Sequence, residues 1–266
     1  MRLPPKPEMT WPSVWRESWH YDSLEFGGCT DYLGYTRAYR NRFVLTMNLV
    51  RKTTPPPARV LDLAAAQGNF SLALAEEGYR VTWNDLREEL AGYVRLKYER
   101  GALDFKPGNA FELHPQEPFD IVVATEVIEH VAHPDEFLSH LLGLVRRGGH
   151  AILTTPNGGY FRNQLPKFSE CADPSVFEER QFGPDGTDHI FLLHEEELRA
   201  LAAKAGWQVE EIHLYTSFLL NGHCRTEPLL RILPGAVGSV DTVLQKLPRS
   251  LRRRVDVGLA AVLRRP

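Results

Sequence analysis

No stretch of this sequence approaches the roughly 18 consecutive apolar residues that a bilayer-crossing helix needs. The amino-terminal MRLPPKPEMTWP also lacks the apolar centre of a secretory leader, so a soluble, cytoplasmic protein is expected. Cysteine is scarce: Cys29, Cys171 and Cys224 stand far apart with no C-x-x-C pair. That spacing excludes a zinc ribbon, offers no disulfide framework and fits a reducing compartment. A large charge excess is missing too, since the net charge is −3 over 266 residues. The balance is uneven, however: residues 225–266 hold nine basic and three acidic side chains, +6, which leaves −9 for the rest. Internal repeats and low-complexity tracts are absent, and the length suits one large α/β domain with additions.

Glycine is missing where a dinucleotide site would need it. Val60-Leu61-Asp62-Leu63 is a short apolar strand, followed by Ala64-Ala65-Ala66-Gln67-Gly68 and a helical pattern from Asn69 that Gly78 stops. Tyr79 to Trp83 reads as a second strand, ending at Asn84-Asp85. A carboxylate about 20 residues past such a turn takes ribose hydroxyls in nucleoside-binding crossovers. The pyrophosphate pattern G-x-G-x-x-G is broken by Ala64 and Ala66, and the Asp62 charge at the turn would repel a phosphate. An acid there suits a cationic nucleoside, such as S-adenosylmethionine with its ammonium and sulfonium. A nicotinamide-type reductase is correspondingly disfavoured.

On these residues the sequence resembles the class I S-adenosylmethionine-dependent methyltransferases, whose first motif matches Asp62 to Gly68 with alanine twice replacing glycine. The resemblance runs from about Arg59 to Tyr215. It implies a Rossmann-like, seven-stranded, mostly parallel sheet flanked by helices, with the last strand, Val257–Leu263, returning beside the sixth. It also implies a division into an aromatic-rich helical lid (1–52) and a cofactor domain (53–266). The domain would carry a covering loop (158–190) and a helical insertion (216–254). Cofactor contacts are expected from Asp62, Ala64, Gly68, Asp85, Leu86, Asn109, Ala110 and Thr125. Asn109 stands where the family usually places an acid for the adenine amino group, and its side-chain oxygen can accept the same hydrogen bond.

Strand four, Pro118 to Ala124, runs into Thr125-Glu126-Val127-Ile128-Glu129-His130, and strand five ends at Pro156-Asn157. Two carboxylates and an imidazole at one strand end, with His189 after the long loop, form a candidate divalent-metal set: Glu126, Glu129, His130 and His189. The alternative is a general-base role for His130 and His189, because an imidazole titrates near working pH. TEVIEHV, TTPN and DHIFLLHEEEL look like two branches of the superfamily: the ubiquinone-biosynthesis-type O-methyltransferases of small phenols, and the small-RNA 3′-end 2′-O-methyltransferases that hold a metal. The leading expectation is methyl transfer to a hydroxyl of a small molecule (a phenol, a sugar or a natural-product intermediate), with S-adenosylmethionine and in one variant a divalent cation such as Mg. RNA 2′-O-methylation and a non-catalytic cofactor-binding subunit are the alternatives. Overall acidity argues against nucleic acid. The arginines of the carboxyl-terminal segment admit peripheral membrane contact but read first as a solvated helix. No motif in 1–40, 158–190 or 216–250 identifies the acceptor.

Overall fold

The computed structural model describes residues 2, 4–26, 33–181, 188–221 and 227–266. Cys29 and Cys224 lie outside the described residues. Seven strands form one sheet in the order β3-β2-β1-β4-β5-β7-β6. They are β1 (Arg59–Leu63), β2 (Arg80–Trp83), β3 (Ala102–Phe105), β4 (Phe119–Thr125), β5 (Val145–Pro156), β6 (Gln208–Ser217) and β7 (Asp256–Arg264). β1 pairs in parallel with both β2 and β4, so the chain reverses its direction of winding between β1 and β4. Only β7 runs antiparallel, between β5 and β6.

Alternation along the central strands divides the core into two layers. Leu61, Leu63, Val122 and Ala124 face one side, against Leu138 and Leu141 of α5 (Pro134–Leu144) and Leu198 of α6 (Glu195–Lys204). Val60, Ile121 and Val123 face the other, against Met47 and Val50 of α2 (Leu33–Thr53) and Phe70 and Leu74 of α3 (Asn69–Glu76).

Two local features follow from turn and bulge chemistry. α5 ends at Leu144, before Gly148-Gly149; those glycines lie within β5, where Phe119 pairs with Val145 but Ile121 pairs with His150. A Cβ on Gly149 would sit 2.6 Å from the Asp120 carbonyl, so this irregularity requires glycine. Helical periodicity begins at Leu86, but α4 spans Leu90–Lys97. Its first turn is lost because the Asp85 carboxylate holds the Arg87 amide at 2.9 Å and turns the chain there.

The amino-terminal segment contributes α1 (Ser13–Glu25) and α2. Trp15 of α1 fills the space over Gly92, and its Nε1 donates to the Glu89 carbonyl at 2.7 Å. Below it Asp22 accepts from Tyr93 (2.7 Å), Lys97 (2.8 Å) and Asn69 (2.9 Å), with Lys97 only 1 % exposed. A buried ammonium and carboxylate persist only when paired in this way. The segment between β6 and β7 forms α7 (Glu227–Ile232), α8 (Pro234–Leu244) and α9 (Arg249–Val255). Among the described residues no helix is long and apolar enough to cross a membrane.

Candidate functional site

The carboxyl ends of β1, β2 and β4 open into a cavity of about 740 Å³, at the switch point where open α/β sheets bind ligands. Of the residues expected to bind or react, Ala64, Asp85, Leu86, Asn109, Ala110, Thr125, Glu126, Glu129, His130 and His189 all line it. Asp62 and Gly68 do not.

The turn after β1 is held in the left-handed region at three positions: Ala64 (φ 53°), Ala66 (φ 44°) and Gly68 (φ 72°). Hydrogen bonds from its backbone to the end of β2 compensate, with Ala65 N–H donating to the Asn84 carbonyl and Ala66 N–H to Asp85 Oδ2, both at 2.8 Å. Gly68 is fixed by space as well as by φ, since a Cβ there would lie 2.8 Å from Val94. Left-handed alanine costs on the order of 1 kcal/mol relative to glycine, partly offset by glycine's larger unfolded-state entropy. Ala66→Gly is therefore expected to leave stability unchanged or raise it by up to about 1 kcal/mol. Urea unfolding reads this directly, and a clear loss would show that the alanine methyl is packed to advantage.

Asp62, expected among the cofactor contacts, is buried and does not line the cavity. It shares its strand face with Val60, so its side chain points at α3, where Ser71 Oγ donates to Oδ2 at 2.5 Å. It is 1 % exposed and its Oδ1 has no partner among the described residues. Burial pushes the carboxyl up to about 7 despite the serine. An acid raised on folding stabilises fully below its unfolded pKa, and that contribution fades as pH rises through the folded value. Between pH 4 and pH 8 the wild-type chain is thus expected to lose stability relative to Asp62→Asn, which keeps the Ser71 hydrogen bond; parallel unfolding curves across that range check it.

Asp85 carries the strongest set of contacts. Besides the Ala66 amide, its carboxylate receives the Arg87 amide (2.9 Å) and guanidinium (Nε at 3.0 Å). The Asn109 oxygen accepts from the Phe111 amide at 3.0 Å, capping a short turn, so one of its lone pairs is already used where adenine was expected.

At the end of β4 the chain turns through Glu126 (φ 55°). Glu126 was expected among the metal ligands; instead its carboxylate receives Thr154 Oγ1 (2.9 Å) and pairs with Arg42 of α2 (3.1 Å). The three remaining members come together: Glu129, His130 and His189 each offer a ligand atom, all within 4.8 Å of one another. Glu129 is fully buried, with Thr155 Oγ1 donating to Oε2 (3.0 Å) and Oε1 lacking a partner among the described residues. Burial, then the Glu126 charge, pushes its carboxyl well up. Burial, then His130, pulls the His189 imidazole down from its ordinary value. The His130 Nδ1–H donates to the Asp188 carbonyl at 3.2 Å, which leaves Nε2 as the nitrogen with a lone pair.

The amino-terminal helices expected to form a lid do reach the cavity, and sequence reasoning missed Glu25 and Arg42 among them. Glu25, Tyr35, Tyr39 and Arg42 all line the wall beside the turn. Glu25 accepts from Tyr35 (2.9 Å), Gln67 (3.1 Å) and Asn69 (3.0 Å), and burial pushes it up to about 7. Arg42 lies over the Tyr39 ring, and its Nε has no partner among the described residues. The helical spacing of Tyr35, Tyr39 and Arg42 was the available signal. Among its described residues, the segment expected to cover the site contributes only His189. Its described residues between Gly158 and Glu170 border a separate, shallower basin of about 560 Å³ with Arg253 and Arg254. Phe168 and Phe177 pack against Phe191.

A sheet of this order, with a strained small-residue turn, a carboxylate after β2 and a cavity at the switch point, defines the class I S-adenosylmethionine-dependent methyltransferase architecture. The chain belongs to the family described as methyltransferase domain, whose model matches residues 35–212. It is 31 % identical over 160 residues to a ubiquinone biosynthesis O-methyltransferase of Xanthomonas euvesicatoria, covering 58 % of this chain and 64 % of that protein. The chain thus spans just under two thirds of that relative's length. An S-adenosylmethionine-dependent methyltransferase of Mesorhizobium loti shares the fold with a TM-score of 0.57 at 16 % identity, over 90 % of this chain and 99 % of that one. So does magnesium protoporphyrin IX methyltransferase of Synechocystis, solved with bound S-adenosylhomocysteine (SAH), with a TM-score of 0.58 at 15 % identity over 96 % and 95 %.

Proposed function

We propose that the chain transfers a methyl group from S-adenosylmethionine to a hydroxyl of a small molecule. The observation that carries this reading is the His130–His189 pair on the wall of the cavity that also holds Asp85. Asp85 is suited to the ribose diol, Leu86 and Ala110 to the faces of adenine, and the Arg42 guanidinium to the carboxylate of the amino-acid tail. Glu25 and Glu126, rather than Asp62, are the acids placed for the tail ammonium. S-adenosylmethionine supplies, when bound, a methyl carbon already activated by its sulfonium. The protein then has to align the acceptor, exclude water and remove one proton. His130 Nε2 is the base, since Nδ1 is committed to a carbonyl, and His189 stands beside it in the neutral form. Tyr21, Tyr35, Phe111 and Phe137 give the cavity an apolar lining fitted to an aromatic or otherwise apolar acceptor. The name of the relative cited above points to oxygen as the acceptor atom.

Calorimetry with SAH, followed by an acceptor screen with labelled cofactor, tests the reading. Saturable binding with transfer to phenolic or sugar hydroxyls supports it. Binding with no transfer to any acceptor would mark the chain as a cofactor-binding subunit, and transfer only to RNA ends would replace the small molecule.

A second reading rests on the same cluster. Glu129, His130 and His189 fit a divalent cation, because the Asp188 carbonyl orients His130 as metal-bound imidazoles are oriented and Glu129 keeps an unused oxygen. A cation held there would lower the pKa of the acceptor hydroxyl. Titration with manganese in the presence of SAH decides it: one-site binding that Glu129→Gln abolishes supports the cation, and the absence of binding sinks it.

A further inference from the structure

Away from the cavity, the insertion before β7 has a surface built the wrong way round for water. Ile232 (75 % exposed), Leu233, Val240, Val243 (62 % exposed) and Leu251 all lie in or beside α7, α8 and α9. A helix on a protein surface ordinarily turns charge outward and apolar side chains inward. α8 reverses this. Its one charged residue, Asp241, is partly buried and accepts the Ser217 amide at 3.3 Å, while Val240 and Val243, one helical turn apart, face solvent.

The charge around this strip has one sign. From Glu227 to Val255 there are six basic side chains (Arg231, Lys246, Arg249, Arg252, Arg253, Arg254) and two acidic ones (Glu227, Asp241), a net of +4. Arg249 and Arg253 are engaged with Glu195, and Arg252 with Asp256. Lys246 and Arg254 are exposed and carry no ion pair among the described residues. The rest of the chain is acidic in sum, so an anionic surface favours this segment over the average of the others.

We propose that α7–α9 form a docking face for an anionic lipid bilayer. Val240, Val243, Ile232 and Leu233 enter the boundary between headgroups and acyl chains, and Lys246 and Arg254 meet the lipid phosphates. The placement gives docking a consequence. Val237 of α8 packs with Leu33 and Leu219, and α7 packs on α2, the helix that supplies Tyr35, Tyr39 and Arg42 to the cavity. A lipid-bound chain therefore holds its lid helix near the bilayer, where an apolar acceptor is concentrated. The inference stands whether or not the acceptor atom is oxygen.

Flotation of the full chain with vesicles tests it, using phosphatidylcholine alone and phosphatidylcholine mixed with phosphatidylglycerol. The chain is expected to float with the mixed vesicles and not with the neutral ones, and to be released by salt, with inorganic phosphate no more effective than chloride at equal ionic strength. Each basic side chain at an anionic surface is worth roughly fivefold in partitioning, so Lys246→Glu with Arg254→Glu should lower binding by at least about tenfold. Val240→Asp with Val243→Asp should do the same, and both double variants should bind SAH as the wild type does. Failure to float with anionic vesicles, unchanged flotation of both variants, or release by phosphate beyond that by chloride would overturn the proposal. So would a wild-type dimer in sedimentation equilibrium that Val240→Asp with Val243→Asp dissociates, since the strip would then be a contact between copies.

Discussion

Replacing His130 with alanine is expected to lower the turnover number by about 10²–10⁴-fold while SAH affinity stays within about threefold of wild type. The large effect follows from position. The Nδ1–H is spent on the Asp188 carbonyl, so Nε2 is the one lone pair the ring offers the cavity. The small effect on binding follows from distance along the sheet edge, because Asp85, Leu86 and Asn109, proposed to hold the nucleoside, lie after β2 and β3 while His130 follows β4. Single-turnover rates with saturating cofactor, together with calorimetry, separate the two quantities. Equal losses in rate and cofactor affinity would show that the imidazole supports the cavity wall and does not take the proton.

Asp85→Ala should produce the opposite pattern, a loss of SAH affinity of about 10²-fold or more. Two hydrogen bonds from the ribose hydroxyls to a carboxylate contribute about 1.5–3 kcal/mol each. The same carboxylate also accepts the Ala66 amide, so its removal frees a turn already strained at Ala64 and Ala66. Asp85→Asn separates these effects, as its side-chain oxygen can still take the Ala66 N–H without the charge. If the asparagine variant binds nearly as well as wild type, the residue acts through the turn. If it binds as poorly as the alanine variant, the charge acts on the ribose. SAH titrations of both variants give the answer.

The sheet and its switch point were legible, and ten of the twelve expected site residues line the cavity; all but His189 lie at or follow strand ends, which come from runs of apolar residues bounded by turns. What the sequence concealed was the choice of partners. Nothing in Val60-Leu61-Asp62 says that Ser71, nine residues on, captures the acid and draws it below the turn. Glu126 and Glu129 look equivalent in the motif, yet Arg42, some 80 residues upstream, claims Glu126, and Thr155 on the neighbouring strand supports Glu129. Glu25 carries no motif and comes from a segment legible only as aromatic-rich; its place in the cavity is decided by packing against Gln67 and Asn69. The irregularity in β5 was similarly hidden, because Gly148-Gly149 serve a helix end and a strand bulge equally well.

The Asp22–Lys97 contact bears on how the chain can be divided. A chain trimmed of its first 25 residues would leave the Lys97 ammonium with Asn69 and no counter-charge. Gly92 would then face the gap once filled by Trp15. The leading helix is in that sense the keystone of the nucleotide-binding half and not an appendage to it. Shortened versions of this protein should keep Ser13–Glu25.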